Sequence, residues 1–191
     1  MFVKPTIKQL MESGKLLIAE PSVFGDHNFH RSIVIMVEKK ESGFLGFIIN
    51  KPLSYEIKDV LPEIQMDFPL YNGGPVEQDN LFFIHNVGHL IPGSIRIDNK
   101  LFWGGEFEKV LALVKDGLIG PKDIRFFLGY SGWSKGQLQQ EIGAKSWVVV
   151  ENPFAGKILS HQTERLWRDQ MMALGGKYII WSNTPENPYH N

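Results

Sequence analysis

The segment that most restricts how this chain can fold is Arg125–Ile142, RFFLGYSGWSKGQLQQEI. From Ile124 to Tyr130 the residues form an almost unbroken apolar and aromatic run, which reads as a buried strand. Ser131-Gly132-Trp133 reads as a tight turn. Ser134, with Gln137 three residues on, makes an S-x-x-Q capping box that opens a helix. A strand feeding a helix through small residues leaves backbone N–H groups free at the helix start, where an anion or polar ligand is favoured. Ser131, Trp133, Ser134 and Gln137 are therefore one candidate ligand-binding cluster.

A second cluster follows from a hairpin. Ser32–Glu38 (SIVIMVE) is a β-branched run of the kind found in strands covered on both faces. Lys39–Gly43 is a turn and Phe44–Asn50 (FLGFIIN) the return strand, with Gly46 marking a bulge or a close backbone contact. If Glu38 pairs with Phe44, Ser32 lies opposite Asn50 and Arg31 opposite Lys51. These four residues then share one sheet end, with Asp26 in the loop close by. Arg31, Ser32 and Asn50 are the second candidate set. The Arg31 guanidinium can hold an anion in bidentate fashion or pair with Asp26.

The remaining elements follow from periodicity and punctuation. Thr6 opens a capping box for a short helix over Ile7–Glu12, and Lys15–Glu20 (KLLIAE) is a strand stopped by Pro21. Tyr55–Leu61 reads as a short helix ended by Pro62, Tyr71–Pro75 as a turn, and Leu81–Asn86 as a strand. Ser94–Ile97 and Lys100–Trp103 flank Asp98-Asn99 as a small hairpin. Glu106–Asp116 carries Phe107, Val110, Leu111 and Val114 on one helical stripe, closed by Gly117. Ser146–Val150 is a buried strand, Thr163–Ala173 a helix closed by Gly175, Lys177–Trp181 (KYIIW) a last strand, and 184–191 a loose tail. Strands outnumber helices and no linker divides them, which predicts one mixed α+β domain over residues 1–191.

Composition narrows the chemistry. The chain has 191 residues, 43% hydrophobic and 21% charged, with no cysteine, so disulfides, thiol catalysis and cysteine-ligated metals are excluded. That usage fits a reducing cytoplasm. No apolar run approaches about 18 residues, so no membrane span is expected, and the N-terminus lacks a secretory signal. With 20 Lys+Arg against 21 Asp+Glu the net charge is −1, and direct nucleic-acid binding is not expected.

Catalytic and metal motifs are incomplete. In Gly129-Tyr-Ser131-Gly132-Trp133, tryptophan replaces the second glycine of a nucleophile elbow. His85-x-x-x-His89 has metal-ligand spacing but runs from a strand into a turn, and Asp26-His27-x-x-His30 lacks a third strong ligand. No phosphate-binding glycine loop is present. Neither a metal nor a cofactor is expected.

Several motifs occur together in a specific order. They are Gly14-Lys-Leu-Leu-Ile-Ala with Pro21, Phe29-His-Arg-Ser-Ile, Gly43-x-x-Gly-Phe-Ile-Ile-Asn-Lys-Pro52, Tyr71-Asn-Gly-Gly-Pro-Val, Leu81-Phe-Phe-Ile-His, Phe127-x-Gly-Tyr-Ser-Gly-Trp-x-x-Gly-Gln-Leu, Trp147 and Leu166-Trp. In this set the chain closely resembles the AlgH/YqgE-like family of bacterial proteins from about Gly14 to Gly175. The resemblance implies an α+β domain whose split sheet curls into a pseudo-barrel with helices packed outside. It carries no agreed activity or catalytic residues. One branch is linked to the regulation of alginate production, and members bear the label of transcriptional regulator. His27 stands where many relatives have proline.

The expectation is a non-catalytic cytoplasmic protein that binds a small molecule or a protein partner in a regulatory role. Its rival is a cofactor-independent hydrolase in which Ser131 or Ser32 lies within about 3 Å of a histidine.

Overall fold

A computed structural model describes residues 11–160 and 163–184. The helix expected over Ile7–Glu12 and the tail from 185 on lie largely or wholly outside the described residues. Ten strands, β1 (Leu16–Ala19), β2 (Ile33–Lys40), β3 (Gly43–Ile48), β4 (Pro52–Glu56), β5 (Pro69–Asn72), β6 (Val76–His85), β7 (Ile95–Arg96), β8 (Phe102–Trp103), β9 (Ile124–Ser134) and β10 (Trp147–Val150), alternate with helices. The helices are α1 (Ile57–Val60), α2 (Phe107–Lys115), α3 (Gln137–Gly143), α4 (Leu166–Leu174) and α5 (Tyr178–Ser182). This is a mixed α+β fold with a largely antiparallel sheet. Pairing runs β10-β1-β2-β3-β9-β6-β8-β7, with β4 and β5 branching from β9. The two ends of that path do not pair, so the sheet is not closed into a barrel.

β9 joins two halves of the sheet. Its first part pairs in parallel with β5 (Phe126 with Leu70, Leu128 with Asn72), and its last part pairs with β3 (Ser131 with Gly46, Ser134 with Gly43). β6 runs along the other side. The change of partner falls at Gly129, where φ is +68°. A Cβ there would stand 2.6 Å from the Gly74 carbonyl oxygen and 2.7 Å from that of Val76. The Gly73 oxygen accepts from the Ile48 N–H at 2.9 Å and from the Ser131 hydroxyl at 3.1 Å, linking β3, the β5 end and β9.

Strand alternation builds three cores. Leu16, Ile18, Ile33, Ile35, Phe47 and Phe127 meet α4 residues Leu166, Trp167 and Met171 in a central core. Leu17, Val34, Met36 and Ile48 point the other way, toward Leu138 of α3 and the pair Trp133 and Trp147. Phe126, Leu70 and Phe83 cover α1 and α2 through Ile57, Val110, Leu113 and Val114. Continuous apolar strands result because both faces are covered.

Several sequence expectations are corrected. Ser131-Gly132-Trp133 is not a turn: β9 runs on as an 11-residue strand to Ser134, and its pairing with β3 keeps those residues extended. The helix starts at Gln137 behind Gly136, whose φ of +85° makes the turn. Tyr55 and Glu56 belong to β4 rather than to a helix, because β4 pairs with β5. KYIIW forms α5, a helix, with Ile179 and Ile180 exposed. The β2–β3 register is as expected at its base (Val34 with Ile48), but a bulge at Val37 pairs Glu38 with Leu45 instead of Phe44. The small hairpin forms, with Ile95 opposite Trp103. α2 ends in a Schellman motif, the Leu118 N–H reaching the Leu113 oxygen and the Gly117 N–H that of Val114.

Gly129→Ala combines a positive φ with a backbone clash and should lower stability by about 2–4 kcal/mol. Gly136→Ala has the same φ problem but open space around it, and should lose about 1 kcal/mol. Urea unfolding of the two variants measures the difference.

Candidate functional site

The sheet end expected from the hairpin is assembled. Asn50 fixes it: its side-chain oxygen accepts from the Ile33 N–H at 2.7 Å, and its Nδ2 donates to the Arg31 oxygen at 2.9 Å. Arg31 has φ +53°, a left-handed conformation that a non-glycine residue adopts at a cost. The Asn50 clamp on both sides of Ser32 holds it there. Ser32 itself is fully buried, its hydroxyl without a hydrogen-bond partner among the described residues. Asp26 caps the preceding loop by accepting from the Asn28 and Phe29 N–H groups, and Lys51 donates to the Asn28 oxygen at 2.6 Å.

This end opens into a cleft of about 590 Å³ between the β2–β3 base and the α4–α5 pair. Arg31 lies over the Trp167 ring at 4.9 Å and donates to both the backbone and hydroxyl oxygens of Thr184. Lys51, Arg165, Arg168 and His30 also line the cleft, against one carboxylate among the described residues, Glu164. Burial lowers the Lys51 pKa, partly offset by the charge of Asp26, and an anion beside its ammonium would favour the charged form further.

The other cluster has a different character. Trp133 and Trp147 both donate their indole N–H to one oxygen of Glu141, each at 2.8 Å, and Gln137 donates to the other at 3.0 Å. Gln137 in turn accepts from the backbone N–H and hydroxyl of Ser134. Phe29 packs on both indoles. The reaching-back half of the capping box is therefore present, while Ser134 does not cap α3. Ser131 is buried and bonded to Gly73. The cluster's polar atoms serve one another, and none of its side chains lines that cleft.

A serine–histidine contact does occur, but at neither expected serine. His85, fully buried, has Nε2 at 3.1 Å from both the Gly104 oxygen and the Ser94 hydroxyl oxygen. Ser94 gives its own proton to the Ile91 oxygen at 2.6 Å, so Nε2 is the protonated donor and Ser94 is not activated. Ser131 lies seven positions along β9 from the partner of His85, roughly 23 Å away. Among the described residues no group of three or more His, Asp or Glu could hold a metal ion. His89 lies apart from the buried His85, lining an outer cleft.

A model of the AlgH-like family matches residues 16–179. The chain belongs to the AlgH-like family. It is 41% identical over 179 residues to a UPF0301 protein of Chlorobium phaeobacteroides, covering 93% of this chain and 95% of that one. A UPF0301 protein of Bacteroides fragilis is 39% identical over 182 residues, covering 93% and 90%. The solution structure of the AlgH protein from Pseudomonas aeruginosa superposes with a TM-score of 0.69 at 26% identity, covering 96% of this chain and 98% of that one. A crystal structure of a Corynebacterium diphtheriae protein gives 0.70 at 23% identity, covering 91% and 93%, and shares the fold. In this AlgH-like chain no helix among the described residues is long and apolar enough to cross a membrane.

Sequence reasoning brought Arg31, Asn50 and Lys51 to one sheet end, where all three line the cleft, whereas Ser32 beside them is buried and does not line it. It missed Arg165, Trp167 and Arg168 as their neighbours, because α4 lies more than a hundred residues further along the chain. The only local signal was the density of Arg165 and Arg168 at the start of an amphipathic helix.

Two outcomes test these assignments. Glu141→Ala strands two buried indole donors and should cost about 2–4 kcal/mol in urea unfolding, whereas Glu141→Gln, which keeps one acceptor, should cost less. His85 has its pKa lowered by burial, with the Gly104 hydrogen bond working the other way. Its neutral form therefore stabilises the fold fully above about pH 6.5. That contribution should be lost as pH falls toward the folded-state pKa, by up to about 1.4 kcal/mol per pH unit, and the slope should be absent in His85→Asn.

Proposed function

We propose that this protein binds a small anionic ligand, of the phosphate or carboxylate class, in the cleft at the β2–β3 base, as a cytoplasmic binding protein with a regulatory role. One observation carries the reading: the cleft is lined by Arg31, Lys51, Arg165 and Arg168, with a single opposing carboxylate among the described residues. Coulomb attraction in a part-buried cleft exceeds that at an open surface, because less water screens it. Support also comes from the Arg31 backbone. A left-handed non-glycine residue persists only where its surroundings over-determine it, and such residues cluster at functional sites. Here the Asn50 clamp sets the direction in which the guanidinium leaves the chain. Its guanidinium carbon lies 4.9 Å from the Trp167 ring centre, and a guanidinium fork can hold an anion in bidentate fashion.

Isothermal titration and thermal shift with inorganic phosphate, pyrophosphate and dicarboxylates test the proposal. A ligand at about 100 times its dissociation constant should add about 2.7 kcal/mol of stability. Arg31→Ala should abolish the shift, Arg31→Lys should weaken it, and Lys109→Ala on the remote face of α2 should leave it unchanged. A flat response across all three anions would overturn the reading.

A further inference from the structure

We infer that the anion cleft is one end of a longer basic track that binds single-stranded nucleic acid. This rests on the anion-binding reading of the cleft and names its ligand class. Two further clefts adjoin it. The second, of about 380 Å³, shares Glu164 with the first. The third, of about 770 Å³, shares Lys122 and Ser160 with the second. Lys122 and Arg125 line the second cleft, and Lys100, Lys122 and Lys157 the third. Glu164 is the one Asp or Glu lining any of the three among the described residues, although acids outnumber Lys and Arg in the chain, 21 to 20.

The segregation is structural. Asp98 and Asp123, the acids nearest in sequence to Lys100 and Lys122, are turned into local turns. Asp98 accepts from the Lys100 and Leu101 N–H groups, and Asp123 from the Gly120 N–H. Lys100, Lys122 and Lys157 are exposed and form no ion pair among the described residues. The net charge of −1 averages this surface away.

Aromatic rings lie beside the cations along the track. Phe102 and Phe154, both half-buried, line the third cleft, whereas Trp167 and Tyr71 in the first two are buried with Arg31 and Arg125 over their rings. Cations that follow a backbone, with rings that take base faces, are what unpaired nucleic acid requires. Asn86 and Asn99 at the third cleft add amide groups that can meet base edges. The part-exposed rings of the third cleft suit splayed bases better than a duplex, whose bases are already stacked.

Fluorescence anisotropy with a labelled oligouridine of about 12 nucleotides, titrated between about 50 and 200 mM salt, tests the inference. Log affinity should fall linearly with log salt, with a slope of about −0.7 per phosphate engaged. The double variant Lys100→Ala, Lys157→Ala, confined to exposed side chains, should reduce that slope by about 1.4 and leave inorganic phosphate binding in the first cleft intact. Arg31→Ala should weaken both ligands. Oligouridine binding that ignores the double variant would overturn the track while the anion cleft stands. Equal binding of a duplex, or tighter binding of a polyglutamate of equal charge, would overturn it as well. Phosphate binding that ignores Arg31→Ala would instead overturn the anion cleft.

Discussion

The carbonyl oxygen of Gly73 ties the two halves of this molecule together. It accepts from the Ile48 backbone and from the Ser131 hydroxyl where β9 leaves one partner and takes another. Three backbones cross there so closely that a side chain on Gly73 would sit 2.2 Å from the Gly129 oxygen. The candidate site hangs from this crossing. The β2–β3 hairpin, docked on the last part of β9, carries Arg31 and Asn50 at its far end. The first part of β9 carries Arg125, whose guanidinium donates to the Ile49 and Leu159 oxygens and lies 4.4 Å from the Tyr71 ring centre. Arg125 thereby fixes the hairpin end to the 155–159 segment, which walls the second and third clefts.

What the sequence made legible was the local order. Continuous apolar runs announced strands covered on both faces, and the three cores show why: Leu16 and Ile18 face one core, Leu17 and Ala19 another. The hairpin base was readable because side-chain alternation allows only one register there. Nearer the tip, Gly46 was rightly read as a bulge or a close backbone contact, since a Cβ there would stand 2.7 Å from the Ile35 oxygen, but the bulge itself falls across the hairpin at Val37 and shifts the register beyond it. The strand extension through Ser131–Ser134 was hidden as well. Small residues that look like a turn in isolation become a strand when β3 lies within hydrogen-bonding distance. KYIIW has strand-like composition, yet it follows two glycines directly after α4 and packs on that helix instead.

The candidate sites divide along the same line. A capping-box pattern correctly linked Ser134 to Gln137, but nothing local revealed that Glu141 would bind two indoles from opposite strands. That clamp turns what reads as a ligand-ready turn into an internally satisfied joint between β9, α3 and β10. The sheet end was found because its four residues are symmetric about one hairpin. The cations that complete it come from α4, and only the three-dimensional path of the chain brings them there.

Charge shows why a sum over the sequence misleads. A chain with nearly equal acids and bases can still present a locally basic surface where the neighbouring acids are engaged in folding. Asp26, Asp98 and Asp123 each hold backbone N–H groups in turns, and Glu141 is held among indoles. Carboxylates suit these tasks because they accept several hydrogen bonds at once. Lysine has no such acceptor role, and Lys100, Lys122 and Lys157 reach outward on long stems at the clefts. The same turn chemistry that shapes the loops thus leaves the cations along the clefts with few opposing charges.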